Sequence, residues 1–579
     1  MAVVRFSLFV ATMIMVAHGF AGPGEIGSPA VAIRNLLWWQ LATALFGGLV
    51  AGLSWRVLGR RAIAFAIAPT VLVGLELSAW LVSENLHHTL AGPMRALAFV
   101  ACWAVPAVVF WYWGHRRPRM RWMTPVQAVL VLAAILSSFM TRPPANPPDE
   151  RPDLALFVLD ALQVRALGHL GAPLDPSPRI DALAARGWSS LAAFSAAATS
   201  VPGHAAILYG LDVAEHGAPT NAYDLPADLP DPLAQRLGER GYTTMGFCHN
   251  PLVSRRAGFA RGFDVWWNWG EHGWLQSPVV VALLHWPAAY LWARASDFDP
   301  VTLTADVALP VARGPLFTFV QLLYTHDSYV DGDGWVNPER IAHLRELLAR
   351  GEISNRTGYD ESEIAGLHAA YLAAVAYSDR LVGEMIERLA ARAGERGLVV
   401  VVTADHGETL AEHGNDAVSR HFGPWSTSLR VPIVVADTRV STDGARGENL
   451  ASNQRIQRLL LDAADGRLPV DVPRAWADHV ENALSIDPAF IYSEPWLILV
   501  DDSLKVAIDR EHLTDQPLAH RWRVDFEDQE PVTDSPVIGQ RVDELLGRFE
   551  TMQNRGLFKE LKDMDPEKLE HLRALGYIE

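Results

Sequence analysis

Cysteine is nearly absent: the 579 residues hold two, Cys102 and Cys248. One sits in a hydrophobic span and the other in a globular stretch, which excludes a disulfide framework and leaves an exported domain dependent on its core. Basic residues are also scarce, 49 Lys and Arg against 66 Asp and Glu, for a net charge of −17. That balance removes the positive footprint needed to bind phosphate backbones, so nucleic acid is excluded as a partner. Internal repeats and low-complexity tracts are missing too, which leaves out repeat arrays and long disordered segments.

What is present divides unevenly. Residues 1–142 carry 11 of the basic and 3 of the acidic residues, a net of +8, and the remainder carries −25. The first part is dominated by apolar runs at about 3–21, 37–55, 62–82, 94–113 and 124–140, each near the ~20 residues that cross a bilayer core. The first also resembles a cleavable signal at Gly19-Phe20-Ala21. With five spans, Arg5, Arg56, Arg60, Arg61, Arg116, Arg117, Arg119 and Arg121 fall on one side and Arg34, Arg95 and Arg142 on the other. This bias predicts an all-α transmembrane bundle over 1–140, multi-pass in the inner (plasma) membrane. The N-terminus is then cytoplasmic and the remainder periplasmic or extracellular. The lipid bilayer is accordingly an expected partner.

A proline-rich stretch at 141–152 favours extended polyproline geometry and reads as a semi-rigid stalk. Beyond it, strands and helices alternate. Leu154–Leu159 and Leu316–Leu323 are continuous apolar strands, and 361–393 is a long helix. Helices are also expected at Arg179–Arg186 and, with proline in the first turn, at Pro202–Tyr209. A further helix–strand pair covers 231–240 and 242–248, and Val431–Val435 is another strand. The pattern implies an α/β fold, a mainly parallel sheet flanked by helices. Its catalytic domain is expected over 153–440. Residues 441–579, with strands near 490–508 and a helix from about 540, complete it as a C-terminal part or subdomain. Val279–Trp292 is unusually apolar and reads as a buried helix or a membrane-facing one.

The most informative segment is Leu398-Val-Val-Val-Val-Thr403-Ala404 followed by Asp405-His406-Gly407-Glu408. An unbroken apolar run reads as a strand buried on both faces. Ligands of open α/β sheets bind beyond the carboxyl ends of such strands. Alone, the Asp-His-Gly reads as a strand end with an acidic cap; with partners, it supplies carboxylate and imidazole ligands for a divalent cation. Asp160 ends the Leu154–Leu159 strand in the same manner. Ser200, just ahead of the helix with Pro202, places a hydroxyl beside free backbone N–H groups, where a nucleophile's developing anion would be stabilised. His326, Arg420, His421 and Asn221 lie in comparable loops and carry donors suited to a tetrahedral anion.

These pieces together resemble the sulfatase-like branch of the alkaline phosphatase superfamily. The resemblance rests on Phe157-Val-Leu-Asp160, Ser200-Val-Pro-Gly-His204-Ala-Ala-Ile-Leu-Tyr-Gly210 and Thr403-Ala-Asp-His-Gly-Glu-Thr-Leu-Ala-Glu-His-Gly414. Arg420-His421, Ser428-Leu-Arg-Val-Pro432, Gly258-Phe-Ala-Arg-Gly-Phe-Asp264 and Leu572-Arg-Ala-Leu-Gly-Tyr577 add to it. It implies Asp160, Asp405 and His406 as metal ligands, with Ser200 as nucleophile and further ligand. It also implies catalytic roles for His326 and His421, and anion contacts from His204, Asn221 and Arg420.

Two departures bear on chemistry. Ala161 stands where formylglycine-dependent sulfatases have a second Asp, so one ion of Mn, Zn or Ca is expected, with calcium the poorest fit. His204 stands where those enzymes carry the Arg of their maturation motif, so formylglycine at Ser200 is not expected. A second ion on His326, Asp327 and His421 would follow zinc phosphodiesterases, but their Asp-rich spacing is missing. The expected activity is a membrane-anchored, metal-dependent hydrolase of sulfate or phosphate esters on a small molecule, glycan or lipid, with phosphate favoured. The alternatives are a lipid-linked phosphoethanolamine- or phosphoglycerol-type transferase, in which Thr199 competes as nucleophile, and an inactive envelope scaffold.

Overall fold

The computed structural model describes residues 150–268, 314–326, 361–413, 418–420, 423–513 and 515–523, and most of 528–558. The five hydrophobic spans, the stalk up to residue 149, Val279–Trp292, Asp327 and His421 lie outside them. Among the described residues no helix is long and apolar enough to cross a membrane.

In chain order the strands are β1 (Asp153–Leu159), β2 (Trp188–Ser190), β3 (Ala193–Phe194), β4 (Thr243–Cys248), β5 (Val265–Asn268), β6 (Leu316–Leu322), β7 (Leu398–Thr403) and β8 (Thr409–Leu410). They continue as β9 (Val418–Arg420), β10 (Ile433–Asp437), β11 (Ala445–Gly447), β12 (Ala451–Ser452), β13 (Ala489–Ser493), β14 (Trp496–Val500), β15 (Lys505–Asp509) and β16 (Leu518–His520). The helices that matter here are α1 (Pro178–Arg186), α2 (Ser200–Tyr209), α3 (Val213–His216), α4 (Leu233–Glu239), α5 (Glu361–Ala393), α6 (Ser426–Leu429), α7 (Ile456–Ala464), α8 (Pro473–Leu484) and α9 (Pro536–Asn554).

Eight of these strands form the main sheet, in the order β11-β2-β10-β7-β1-β6-β4-β5. β1 and β7 lie at its centre, and every residue of both is buried. The reason is visible in composition: uninterrupted Leu, Val and Phe leave no polar face for solvent, so both faces must be covered. Leu154, Leu156 and Val158 cluster with apolar residues of α2, α4, α7 and α8, whereas α5 covers β1 and β7 as well, through the alternate residues. β1 pairs in parallel with β6 and β7, as does β4 with β5 and β6. The expectation of a mainly parallel, helix-flanked sheet is met in this region.

Two details differ from the sequence reading. The strand expected from Val431 runs over Ile433–Asp437 and pairs antiparallel with β7. Its connection from β7 passes through the short β8–β9 hairpin and the four-residue α6, with no crossover helix to carry it into parallel alignment. The helix expected from Pro202 begins at Ser200, with Thr199 as its cap. Pro202 still falls in the first turn, where its missing N–H leaves no intrahelical bond unmade.

The last third adds an antiparallel meander, β13-β14-β15-β16, against which α9 packs. α9 and the residues after it reach back to the segment following α2. Arg548 Nη1 lies 2.8 Å from Asp212 Oδ2, Arg555 Nη1 donates to Glu215 O at 3.0 Å, and Tyr223 Oη donates to Leu557 O at 2.6 Å.

His216 is enclosed by this contact. Burial, reinforced by the Arg555 guanidinium, pushes its imidazole down to about 3. In the unfolded chain the same group titrates near its ordinary 6.5. Above that pH both states are neutral and nothing is gained or lost. Below it the unfolded chain takes up a proton that the fold refuses, so stability should fall by about 1.4 kcal/mol per pH unit until roughly pH 3. Thermal unfolding midpoints measured between pH 8 and 5 should show this decline, and His216→Gln should flatten it.

Candidate active site

The register of β1 and β7 sets the site. Val158 is paired with Thr403, so Asp160 and Asp405, each two residues further on, leave the sheet side by side. His406 follows directly. Its Nε2 lies 3.6 Å from Asp160 Oδ1 and 3.5 Å from Asp405 Oδ2, and all three groups are fully buried. Nδ1 is 2.8 Å from Gly407 O. A carbonyl only accepts, so Nδ1 carries the proton there and Nε2 is the nitrogen presented to the carboxylates.

Each carboxylate is oriented by one oxygen. Asp160 Oδ2 accepts from Asn250 Nδ2 at 2.8 Å and Gln321 Nε2 at 2.9 Å, while its Oδ1 has no hydrogen-bond partner among the described residues. Asp405 Oδ1 accepts from its neighbour's N–H at 3.0 Å and from Ala161 N–H at 3.3 Å. The Asp405 carbonyl in turn accepts from Ser195 Oγ.

Helix α2 is pressed against this corner. A Cβ on Gly203 would come within 2.6 Å of Asp405 O, so only glycine permits the approach. His204 lies against Asp405. Its Nδ1 is 2.8 Å from Ser200 O and 3.2 Å from Asp405 Oδ2. Its ring meets Phe259 and Phe319 at centroid distances of 6.4 and 6.3 Å, in edge-to-face geometry. Ser200 opens the same helix, buried, with Oγ unpartnered among the described residues. Asn221 Oδ1 accepts from Val201 N–H at 2.8 Å, and its amide Nδ2 has no partner among the described residues. One carboxamide thus caps the Ser200 helix and keeps a donor in reserve beside it.

Half-buried His326 brings its ring to 6.3 Å from that of His406. Arg420 pairs through its backbone with Thr409, which sets it opposite the segment following Asp405. His421 lies outside the described residues. Sequence reasoning did not pick out Asn250 and Gln321. Both left a signal: Gln321 is a lone amide in an apolar strand, and Asn250 lies just past the end of β4.

Burial, the largest influence on Asp405, pushes its carboxyl up, but the His406 and His204 imidazoles outweigh it and hold it well below the usual range. Burial lowers His406, and Asp405 and Asp160 more than reverse this, so its imidazole is raised above 6.5. The neighbouring carboxylates thus favour the protonated form of this histidine. The ligand atoms of Asp160, Asp405 and His406 all lie within 4.8 Å of one another. The set fits a divalent cation, and its mixed oxygen and nitrogen donors suit manganese or zinc better than calcium. Metal and proton would compete for His406 Nε2. Affinity for Mn2+ or Zn2+, measured by calorimetric titration, should already weaken as pH falls towards 6.5, and proton release on binding should rise in step.

An ulvan-active sulfatase of Formosa agariphila is 23% identical over 314 residues, 49% of this chain and 56% of that protein. An arylsulfatase of Clostridium perfringens is 19% identical over 372 residues, 56% and 76% of the two lengths. This chain thus spans little more than half of the first of these relatives. Similar solved structures include a 2-O GAG sulfatase (TM-score 0.49, 14% identity, 72% of this chain and 96% of that one) and a phosphonate monoester hydrolase of Agrobacterium radiobacter (TM-score 0.49, 16% identity, 70% and 96%). The Sulfatase family model matches residues 152–466, which hold every residue of the site described above, and the chain belongs to that family.

Proposed function

We propose that this chain is a membrane-anchored, extracytoplasmic hydrolase that cleaves phosphate esters in preference to sulfate esters through unmodified Ser200. The observation that carries the reading is the buried triad of Asp160, Asp405 and His406 beside a helix that begins at Ser200. The family and its named relatives support hydrolysis of an ester of a tetrahedral anion. The preference for phosphate comes from His204, which lies against Asp405 and supplies no arginine to a formylglycine maturation motif.

Asp160, Asp405 and His406 would hold one divalent ion, with Ser200 Oγ as a further ligand. Such an ion supplies charge neutralisation for the bound anion and lowers the pKa of the serine hydroxyl. The Asn221 amide and Arg420 hold the anion's oxygens. Ser200 gives up its proton to solvent as Oγ attacks phosphorus, the bond to the leaving alcohol oxygen breaks, and a protonated His326 or His421 gives that oxygen its proton and is reprotonated from solvent. Water then attacks the phosphoserine, phosphate departs and Ser200 regains its proton. A serine sulfate has no comparable release, because formylglycine sheds sulfate through its aldehyde hydrate.

Residues 1–140 serve as the anchor and 141–152 as the stalk, with the catalytic part over 153–440 completed by 441–579. A lipid-linked transferase is the second reading, favoured by the five apolar spans. It differs in requiring a lipid donor and an acceptor other than water.

The full chain, solubilised with Mn2+ or Zn2+, should release alcohol fastest from aryl phosphate monoesters or diesters and slowest from the matching aryl sulfate. Ser200→Ala should lower kcat by at least about 10³-fold. Mass measurement of the Ser200 peptide should find serine; an aldehyde there, or preference for the sulfate, overturns the choice of anion. Orientation has its own check. A cysteine replacing Leu174, which is 91% exposed, should react with an impermeant maleimide in spheroplasts, and protection until lysis would reverse the assigned side.

A further inference from the structure

We propose that Tyr371 is a positioning residue: its phenol holds Ala161 in a left-handed backbone conformation that locks Asp160 to Asp405. The proposal rests on the reading of Asp160, Asp405 and His406 as the metal site.

Ala161 directly follows a ligand of the triad and has φ of +60°, a region that L-residues with a Cβ rarely occupy. Strained backbone persists where surrounding contacts over-determine it. The residue held in this conformation also bears on the site, because its N–H donates to Asp405 Oδ1 at 3.3 Å. That bond ties the end of β1 to the carboxylate presented by β7.

One side chain closes this turn. Tyr371, buried within α5, donates from Oη to Ala161 O at 2.8 Å and accepts from Gln163 N–H at 2.7 Å. Burial, followed by the charges of Glu408 and Glu412, pushes the phenol well above its ordinary range despite the Gln163 bond, so it stays an O–H donor. Gln163 extends the link. Its Nε2 donates to Glu408 O and, at 3.0 Å, to Glu412 Oε1. The loop after β1 is thereby stitched to the segment after β7, with Tyr371 as the common post. Neither Tyr371 nor Gln163 is among the residues assigned to the anion, so the proposed effect passes through the geometry of Asp160 and Asp405.

The test compares full-length wild type, Tyr371→Phe, and Tyr371→Phe combined with Ala161→Gly, by calorimetric titration with Mn2+ or Zn2+ and by melting without metal. Phenylalanine fills the same space and removes only the hydroxyl. Affinity should drop by about 10-fold or more, as for other groups that orient metal ligands, while the metal-free melting temperature shifts by a few degrees. Glycine adopts positive φ freely, so the double variant should regain part of the lost affinity. Affinity within two-fold of wild type in Tyr371→Phe overturns the proposal. So does a loss that glycine leaves uncorrected and that follows a collapse in melting temperature. If wild type itself binds neither ion, the metal reading fails and the positioning role fails with it.

Discussion

Two fully buried carboxylates are brought together, and much of the described structure answers to that. The parallel pairing of β1 and β7 leaves no freedom in the matter: once Val158 sits beside Thr403, Asp160 and Asp405 must emerge as neighbours. Adjacent buried anions are unstable unless something positive stands between or around them. The His406 imidazole stands against both, with Nε2 3.6 Å from Asp160 Oδ1 and 3.5 Å from Asp405 Oδ2. The amides of Asn250 and Gln321 share one Asp160 oxygen, the Ala161 N–H takes one Asp405 carboxylate oxygen, and the Ser195 hydroxyl holds the Asp405 backbone carbonyl.

This support is drawn from distant parts of the chain, which is why the site lies where the sheet, α2, α5 and the loops after β4 and β7 converge. Asn453, immediately before α7, donates to Ala404 O at 3.0 Å and to Ser195 Oγ at 3.2 Å. The C-terminal helix steadies the segment that carries Asn221 through Asp212, Glu215 and Tyr223. A second buried pair, Lys505 and Asp528, ties the C-terminal meander to α6 through Ser426. The last third thus acts on the site at one remove, by fixing loops that fix ligands.

Much of this was legible beforehand. Apolar runs without alternation announced β1 and β7, and polar residues at their ends marked Asp160 and Asp405 as partners. Ser200 before Pro202 announced a helix start. The antiparallel turn of β10 was not legible, because strand direction depends on how the intervening loop returns. The contact between His204 and Asp405 was not legible either, since the two residues lie 201 positions apart in the chain.

The amino-acid sequence alone determined the family, the central strands and the acidic and histidine residues that close at their ends. Those depend on local composition and on short-range order, which a linear chain displays directly. Tertiary structure decided which oxygen of each carboxylate is occupied, that Ala161 bends into the left-handed region, and that Tyr371, Gln321 and Asn250 brace the triad. Hydrogen-bond partners separated by 90 to 245 positions are chosen by packing in three dimensions, which a linear chain does not display.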